Sequence, residues 1–274
     1  MISVVCVYNN KTILEDCLLK SLHVQTTEYE LILVDNTEGR FKSASKALNF
    51  GAGNAKGKYV MFVHQDIDLC SNSWFNDIEK MLDSIPGLGI AGVAGRKDKG
   101  GLLITAIRQG DPPVPASRIH IEKPTLVQTL DECLVIVPRP VFHKLQFDEE
   151  TCDDWHLYAV DYCLSVAVLA LGVYTIPMYA YHRSKGSVAR NPFRIILNTG
   201  SLPEGYYCTL RKLLVKHRHC YRMIYTTTGD WDTRLALTFQ RIRLLPRELL
   251  LAGREHGLRM VRRWTQESHI QKSP

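Results

Sequence analysis

Three short apolar runs, Ile2–Val7, Leu31–Val34 and Tyr59–Val63, alternate with segments of helical periodicity in the first third of the chain. Such runs, rich in β-branched and aromatic residues, read as strands buried on both faces. Between them, Ile13–Val24 carries Leu14, Leu18, Leu19 and Leu22 at helical spacing, and Ser43–Ala55 reads as a second helix, stopped by Gly57. Trp74–Ile85 and Gly89–Ala94 continue the alternation as helix and strand. A strand–helix–strand order of this kind is satisfied by right-handed crossovers onto one sheet. The expected fold is α/β: a Rossmann-like, mainly parallel sheet flanked by helices.

Each of the three strands runs out into polar residues: Tyr8-Asn9-Asn10, Asp35-Asn36 and His64-Gln65-Asp66. Parallel strands share one carboxyl edge, and open α/β sheets bind their ligands outside that edge. Three polar clusters on one rim therefore mark the place to look for a site.

Beyond Lys97 a stretch rich in glycine and proline extends to Pro124 and is expected to be a loop over or near the site. Leu130–Val137 and Val173–Tyr181 return as strands around a helix near Tyr158–Leu171. Tyr162–Tyr181 is almost uncharged, but Gly172 and Pro177 break it into a helical half and an extended half, so it is not read as a membrane span. No secretion signal precedes the first strand, and the expectation is a cytoplasmic protein. The eight cysteines show no C-x-x-C pair or zinc spacing, and Cys6, Cys133 and Cys163 lie in apolar runs as small core residues.

Charge divides the chain. Residues 189–274 hold 16 Lys and Arg against 6 Asp and Glu, while residues 1–188 hold 18 against 22. We therefore expect two parts, a 1–188 catalytic-type domain and a 189–274 basic helical extension. The helical patterns in the latter are Tyr206–Arg222, Arg234–Leu251 and a stretch ending near Trp264. Basic amphipathic helices with aromatics suit a peripheral contact with the inner face of a membrane, or simply solvated faces. Nucleic acid is a minor possibility.

The ordered motifs Val7-Tyr8-Asn9, Leu33-Val34-Asp35-Asn36, Ala47-Leu48-Asn49-Phe50-Gly51, Ala55-Lys56-Gly57-Lys58-Tyr59 and Phe62-Val63-His64-Gln65-Asp66 resemble those of the family-2 glycosyltransferases of the GT-A fold. Further along, Asp161-Tyr162-Cys163-Leu164, then Gly172 to Pro177, then His182 follow the family's order. The resemblance covers about residues 1–185. It departs in two places: His64 stands where the first Asp of the family's Asp-x-Asp is usual, and Val160 replaces the Glu of the usual Glu-Asp pair. A literal Asp66-Ile67-Asp68 offers a second register, one step further from the strand end.

What the resemblance implies is transfer of a sugar from a nucleotide-sugar donor, a UDP-sugar foremost, to a hydroxyl of a saccharide or lipid-linked saccharide, with inversion. It implies Asp66 and His182 as protein ligands of Mn²⁺ or Mg²⁺. The donor would meet Tyr8, Asn9, Asn10, Asp35, Asn36, Lys46, Asn49, His64 and Gln65. Asp161 is the expected general base, with Asp154 in reserve and His156 orienting a hydroxyl; Trp155 and Tyr158 would form a wall for the acceptor. Departures at His64 and Val160 leave a second reading open, a degenerate domain that binds without turnover. A dinucleotide-dependent dehydrogenase is excluded, because Tyr8-Asn9-Asn10-Lys11 lacks the glycines that let a backbone approach a pyrophosphate.

Overall fold

The computed structural model describes residues 1–97, 103–110, 112–117, 119, 121–183, 202–246 and 249. Its strands are β1 (Ile2–Tyr8), β2 (Tyr29–Asp35), β3 (Tyr59–Val63), β4 (Ile67–Leu69), β5 (Leu88–Gly92), β6 (Ala94–Arg96), β7 (Leu103–Thr105) and β8 (Ile107–Gln109). They continue with β9 (Val114–Pro115), β10 (Thr125–Leu126), β11 (Thr129–Leu130), β12 (Leu134–Pro138), β13 (Gly172–Thr175), β14 (Ala180–His182), β15 (Met223–Tyr225) and β16 (Asp230–Asp232). The helices are α1 (Lys11–Leu14) and α2 (Lys20–His23), joined by a π-helical turn at Glu15–Leu19, then α3 (Ala44–Ala52), α4 (Trp74–Asp83), α5 (Arg139–Lys144) and α6 (Tyr158–Val168). A longer helix spans Glu204–His217.

Seven strands form the central sheet in the order β10-β13-β5-β12-β3-β1-β2. β1 is parallel to both β2 and β3, as the sequence predicts, and β13 is parallel to β5. The sheet is nevertheless mixed, because β12 runs antiparallel to β3 and β5, and β10 antiparallel to β13. Side chains alternate across it: Ile2, Val4, Cys6, Tyr59, Met61 and Val63 pack with Leu14, Leu18, Trp74 and Phe75, whereas Val5, Val60 and Phe62 pack with α3, α5 and α6. Burying both faces is what gives these strands unbroken apolar sequences.

At the amino end of the three parallel strands a small polar lock sets their spacing. Ser3 Oγ donates to Glu30 Oε2 at 2.5 Å and accepts the Gly57 amide at 2.8 Å, and the same Glu30 oxygen accepts the Lys56 amide at 2.8 Å. Gly57 sits so close to β1 that a Cβ there would lie 2.5 Å from the Ser3 backbone nitrogen. The family-like turn before β3 thus carries glycine for close approach to the neighbouring strand.

The glycine- and proline-rich region is not simply a loop. Among its described residues, β8 joins β14, β4 and β9 in a second sheet, and β7 joins β6 and β11 in a third. No helix among the described residues is long and apolar enough to cross a membrane.

By contacts the chain divides into Met1–Gly186 with Cys208–Arg234, and Ser187–Tyr207 with Leu235–Pro274, rather than at residue 188. In the second unit Arg241 pairs with Glu204 and stacks 3.8 Å over the Tyr207 ring, and residues 237–246 are helical. The last expected helix, toward Trp264, lies outside the described residues. Segment 208–234 belongs with the α/β unit because its charges find partners there. Lys212 binds Asp153 and Lys216 binds Asp148, and Arg96 pairs with Asp230 on the β15–β16 hairpin. Part of the basic surplus expected to seek an external anion is therefore neutralised by the acidic body.

The most consequential of these contacts corrects the reading of Asp161 as general base. Asp161 is 2% exposed. Its Oδ2 accepts from Lys216 at 2.7 Å, and its Oδ1 lies 2.8 Å from His217 Nε2. Both oxygens are spent holding the Glu204–His217 helix against α6, and a carboxylate so enclosed has no route to an acceptor hydroxyl.

Two outcomes follow for stability. Gly57→Ala is expected to cost about 1–3 kcal/mol, because β1 backbone must move to admit the methyl; urea denaturation measures it. Asp161→Asn is expected to cost about 2–3 kcal/mol, below the usual figure for a buried pair because Lys216 is a third exposed and keeps Asp148. The same melts, run beside nucleotide binding, should show lowered stability with binding unchanged.

Candidate active site

A cavity of about 230 Å³ opens at the carboxyl edge of β1, β2 and β3. Val7, Tyr8, Asn9, Asn36, Ala44, Leu48, Val63, His64, Gln65, Asp66, Trp155 and Tyr158 line it. The parallel register Tyr8↔Asp35 brings the first two polar clusters side by side, and Tyr8 Oη donates to Asp35 Oδ2 at 2.8 Å. Asp35 is also held by the amide and hydroxyl of Thr37, at 2.8 and 2.7 Å. These hydrogen bonds, the Thr37 amide first, keep its carboxyl below the usual range.

Gln65 joins the first and third clusters. Its Oε1 accepts the amides of Asn9 and Asn10 at 3.1 and 3.0 Å, and its Nε2 donates to Asn9 Oδ1 at 2.7 Å. The β1 and β3 ends are thereby fastened to each other across the cavity mouth.

Three ligand-type side chains meet beside this pocket. One ligand atom each from His64, Asp66 and His182 lies within 4.8 Å of the others. His182 comes from 116 residues beyond Asp66, delivered by the antiparallel pairing of β14 with β4, where His182 sits opposite Ile67. The Arg183 amide donates to the Asp66 carbonyl at 2.9 Å, and Arg183 pairs with Asp68 at 3.0 Å. Asp68 is thus committed to the strand pair, and His64-Gln65-Asp66 is the register that faces the pocket. His182 Nε2 lies 3.2 Å from Asp66 Oδ2.

Burial opposes charge on all three groups, yet the outcomes differ. Asp66 stays below its ordinary range because His182 and His64 offset the desolvation. His182 is raised, the hydrogen bond and charge of Asp66 outweighing its burial. His64 is lowered by burial and then by His182, which favours the neutral imidazole. Two imidazoles and one carboxylate in reach of one point form a donor set that fits a divalent transition metal.

Several expected donor contacts are made with the protein instead. Asn49 donates to the Phe147 carbonyl and Glu149, and accepts the Phe147 amide, tying α3 to the loop after α5. Asn10 caps α1 by accepting the Ile13 amide at 3.1 Å. Asn36 touches the pocket, but its side-chain amide closes its own turn on the Phe41 backbone. Lys46 is exposed on α3 and does not line the cavity. The three asparagines had the residue type of a ligand contact but met backbone groups of the protein first.

The segment before α6 supplies another wall of the cavity. Leu157 adopts a left-handed conformation, φ 68°, between His156 and Tyr158. Trp155 stands 37% exposed at the cavity wall, while Tyr158 is buried and reaches His64 Nε2 at 3.3 Å. Asp154 accepts the Trp155 amide, and its carbonyl accepts the Ala44 amide. His156 is lowered by burial, with Asp154 acting in the opposite sense. Sequence reasoning missed Glu132: its carbonyl accepts the Tyr158 hydroxyl at 3.1 Å, and its carboxyl, with Oε1 buried and unpartnered, is pushed well up by desolvation. An isolated acid before a strand gave no sign of it.

A family model described as glycosyltransferase like family matches residues 3–178. A search among curated proteins finds no match. Among solved structures, the Pyrobaculum calidifontis mannosyltransferase in complex with GDP-Man and Mn²⁺ aligns over 92% of this chain and 72% of its own, at TM-score 0.53 and 14% identity. GalNAc-T7 with UDP, GalNAc and Mn²⁺ aligns over 78% of this chain but 48% of its own, at TM-score 0.54 and 14% identity. Such distant likeness speaks for the fold, a mixed α/β sheet of GT-A type, and the family match covers every residue lining the cavity while ending just short of His182. The chain belongs to this glycosyltransferase family and is a transferase of GT-A fold.

Proposed function

We propose that this chain transfers a sugar from a nucleotide-sugar donor to an acceptor hydroxyl with inversion, using a divalent cation held by Asp66, His182 and His64. The observation that carries the reading is the meeting of that donor set with a pocket formed by three strand ends. The pocket edge at Tyr8 and Asp35 suits a nucleoside, whose base can stack on the ring and whose hydroxyls can donate to the carboxylate. UDP is the first candidate; the two solved relatives, one with UDP and one with a GDP-sugar, both contain Mn²⁺.

A cation bound at this set supplies positive charge where the diphosphate leaving group becomes more negative. The residues of this chain do the remainder. Trp155 offers an exposed ring at the pocket wall for an acceptor, taken to be a saccharide or lipid-linked saccharide. His156 replaces Asp161 as the base: burial keeps it neutral, and the nearby Asp154 carboxylate stabilises the charge it acquires. The acceptor oxygen bonds to the anomeric carbon as the bond from that carbon to the diphosphate oxygen breaks. The hydroxyl proton passes to His156.

Peripheral membrane contact by the basic tail remains part of the proposal, resting on composition, as does a cytoplasmic location. The rival reading, binding without turnover, draws on His64 and Val160; it is opposed by the three ligand-type groups still converging at the rim.

Thermal unfolding with UDP, GDP, CMP and dTDP, each with and without Mn²⁺, tests the donor site. A nucleotide at a hundred times its Kd stabilises the fold by about 2.7 kcal/mol, a rise of several degrees in Tm. The expected rise depends on metal, occurs with one base, and vanishes in Asp66→Ala. No rise with any nucleotide at millimolar concentration defeats the reading. Donor hydrolysis or transfer should fall roughly 10²–10⁴-fold in His156→Ala and less in Asp154→Asn; equal rates in wild type and His156→Ala would remove His156 from the mechanism.

A further inference from the structure

The cation reading counts His64 among the ligands but leaves open which ring nitrogen binds and what an imidazole does to metal preference where an acid is usual. Its surroundings answer through a chain of hydrogen bonds. Tyr158 Oη donates its only proton to the Glu132 carbonyl at 3.1 Å. Toward His64 Nε2, 3.3 Å away, the same oxygen can then only accept. The Nε2 nitrogen therefore carries the ring proton, and Nδ1 keeps the lone pair. A ring nitrogen made basic in this way, by a partner on the opposite nitrogen, is the usual arrangement of a metal-binding histidine.

The partner chain of this bond is rigid. Tyr158 is 4% exposed in the core beside Phe147, and its main chain begins α6 directly after the left-handed Leu157. The Glu132 carbonyl that anchors the hydroxyl lies just before the Cys133 carbonyl, which accepts the His64 amide at 2.9 Å. His64 is thus fixed at its backbone and at its ring by the same short segment.

Resting on the proposed cation site, we infer that His64 is a direct ligand through Nδ1, positioned by the Tyr158–Glu132 relay, and that this makes the site select borderline transition metals over Mg²⁺. The physical reason is the donor set. Mg²⁺ demands oxygen ligands and keeps its waters, whereas imidazole nitrogen binds later divalent metals with rising strength from Mn²⁺ to Co²⁺. A second imidazole in place of a carboxylate also lowers the negative charge of the site by one. That weakens its hold on a hard cation most.

The test uses the full-length protein and metal alone, with no nucleotide. Pulsed electron paramagnetic resonance of the Mn²⁺-loaded protein should show nitrogen modulation from two directly bound imidazoles, falling to one in His64→Ala. Calorimetric titration should rank Mg²⁺ below Mn²⁺ and Mn²⁺ below Co²⁺. In His64→Asp, Mg²⁺ should gain relative to Co²⁺. Tyr158→Phe removes the relay but keeps the ring, and should weaken Mn²⁺ roughly 10–100-fold. Modulation from one nitrogen in the wild type, or Mg²⁺ bound as tightly as Co²⁺, overturns the inference without needing any variant to fold. If Mn²⁺ binding is lost in Asp66→Ala but untouched in His64→Ala, the inference fails while the metal-dependent donor site stands. If the wild type binds no metal but still binds a nucleotide, both the inference and the metal part of the proposed function fall.

Discussion

The parallel contact of β1 with β2 on one side and β3 on the other is the constraint on which the remainder depends. In a parallel ladder the register decides where each strand ends relative to its neighbour, and side chains past those ends share a rim. Here the register is pinned from below by Ser3, Glu30 and the amides of Lys56 and Gly57. The buried Ser3 hydroxyl tolerates no slip, because a one-residue shift would strand it unpaired and move every core side chain to the opposite face. From above, Gln65 ties the ends of β1 and β3 together. Tyr8 facing Asp35 on one side, and His64 lining the same cavity on the other, are consequences of that double fastening.

A second constraint completes what the parallel strands cannot. A rim made only of β1, β2 and β3 would offer His64 and Asp66 but no third side chain of ligand type. The short strand β4 leaves the rim and pairs with β14, so that Tyr181 lies opposite Asp68 and His182 opposite Ile67. The Arg183–Asp68 pair and the amide-to-carbonyl bond onto Asp66 set this register. The pairing also resolves the two overlapping acidic motifs. Asp68, within β4, is taken by Arg183 beside the partner strand, while Asp66, before the strand begins, is left to the pocket.

These facts show what the sequence makes legible and what it does not. The three strands and α3 and α4 announce themselves, since burial on two faces or one stripe imposes an apolar pattern that local reading detects. The rim clusters follow from topology alone. Roles of individual polar residues do not follow. Asn49 and Asn10 have the residue type of ligand contacts, yet a nearby loop or helix end presented unsatisfied amides and carbonyls, and satisfying those takes precedence in a folded chain. The antiparallel β12 is equally invisible: its apolar run fits either direction, and only the connection before it decides. Asp161 shows the limit most clearly. Its partners Lys216 and His217 lie more than fifty residues away, in a helix whose basic residues read in isolation as a surface feature.

The turn before α6 draws these levels together. Leu157 is a buried, branched residue in left-handed backbone, a conformation costing of order 1–3 kcal/mol that persists only where its surroundings enforce it. Its neighbours hold it: the Tyr158 hydroxyl donates to the Glu132 carbonyl, the Asp154 carbonyl accepts the Ala44 amide, and the Leu157 carbonyl accepts the Asp161 amide. With that turn held, Trp155 on one side of Leu157 is delivered to the cavity wall, and Tyr158 on the other side reaches His64. One helical turn further, Asp161 falls on the inner face against Lys216, which is why an acid so near the pocket in sequence does not reach it. An unstrained residue at 157 would rotate the segment and exchange these assignments. The Trp155 wall, the Tyr158–His64 contact and the buried Asp161 pair therefore flank a single left-handed residue, which sets the direction in which each side chain leaves the segment.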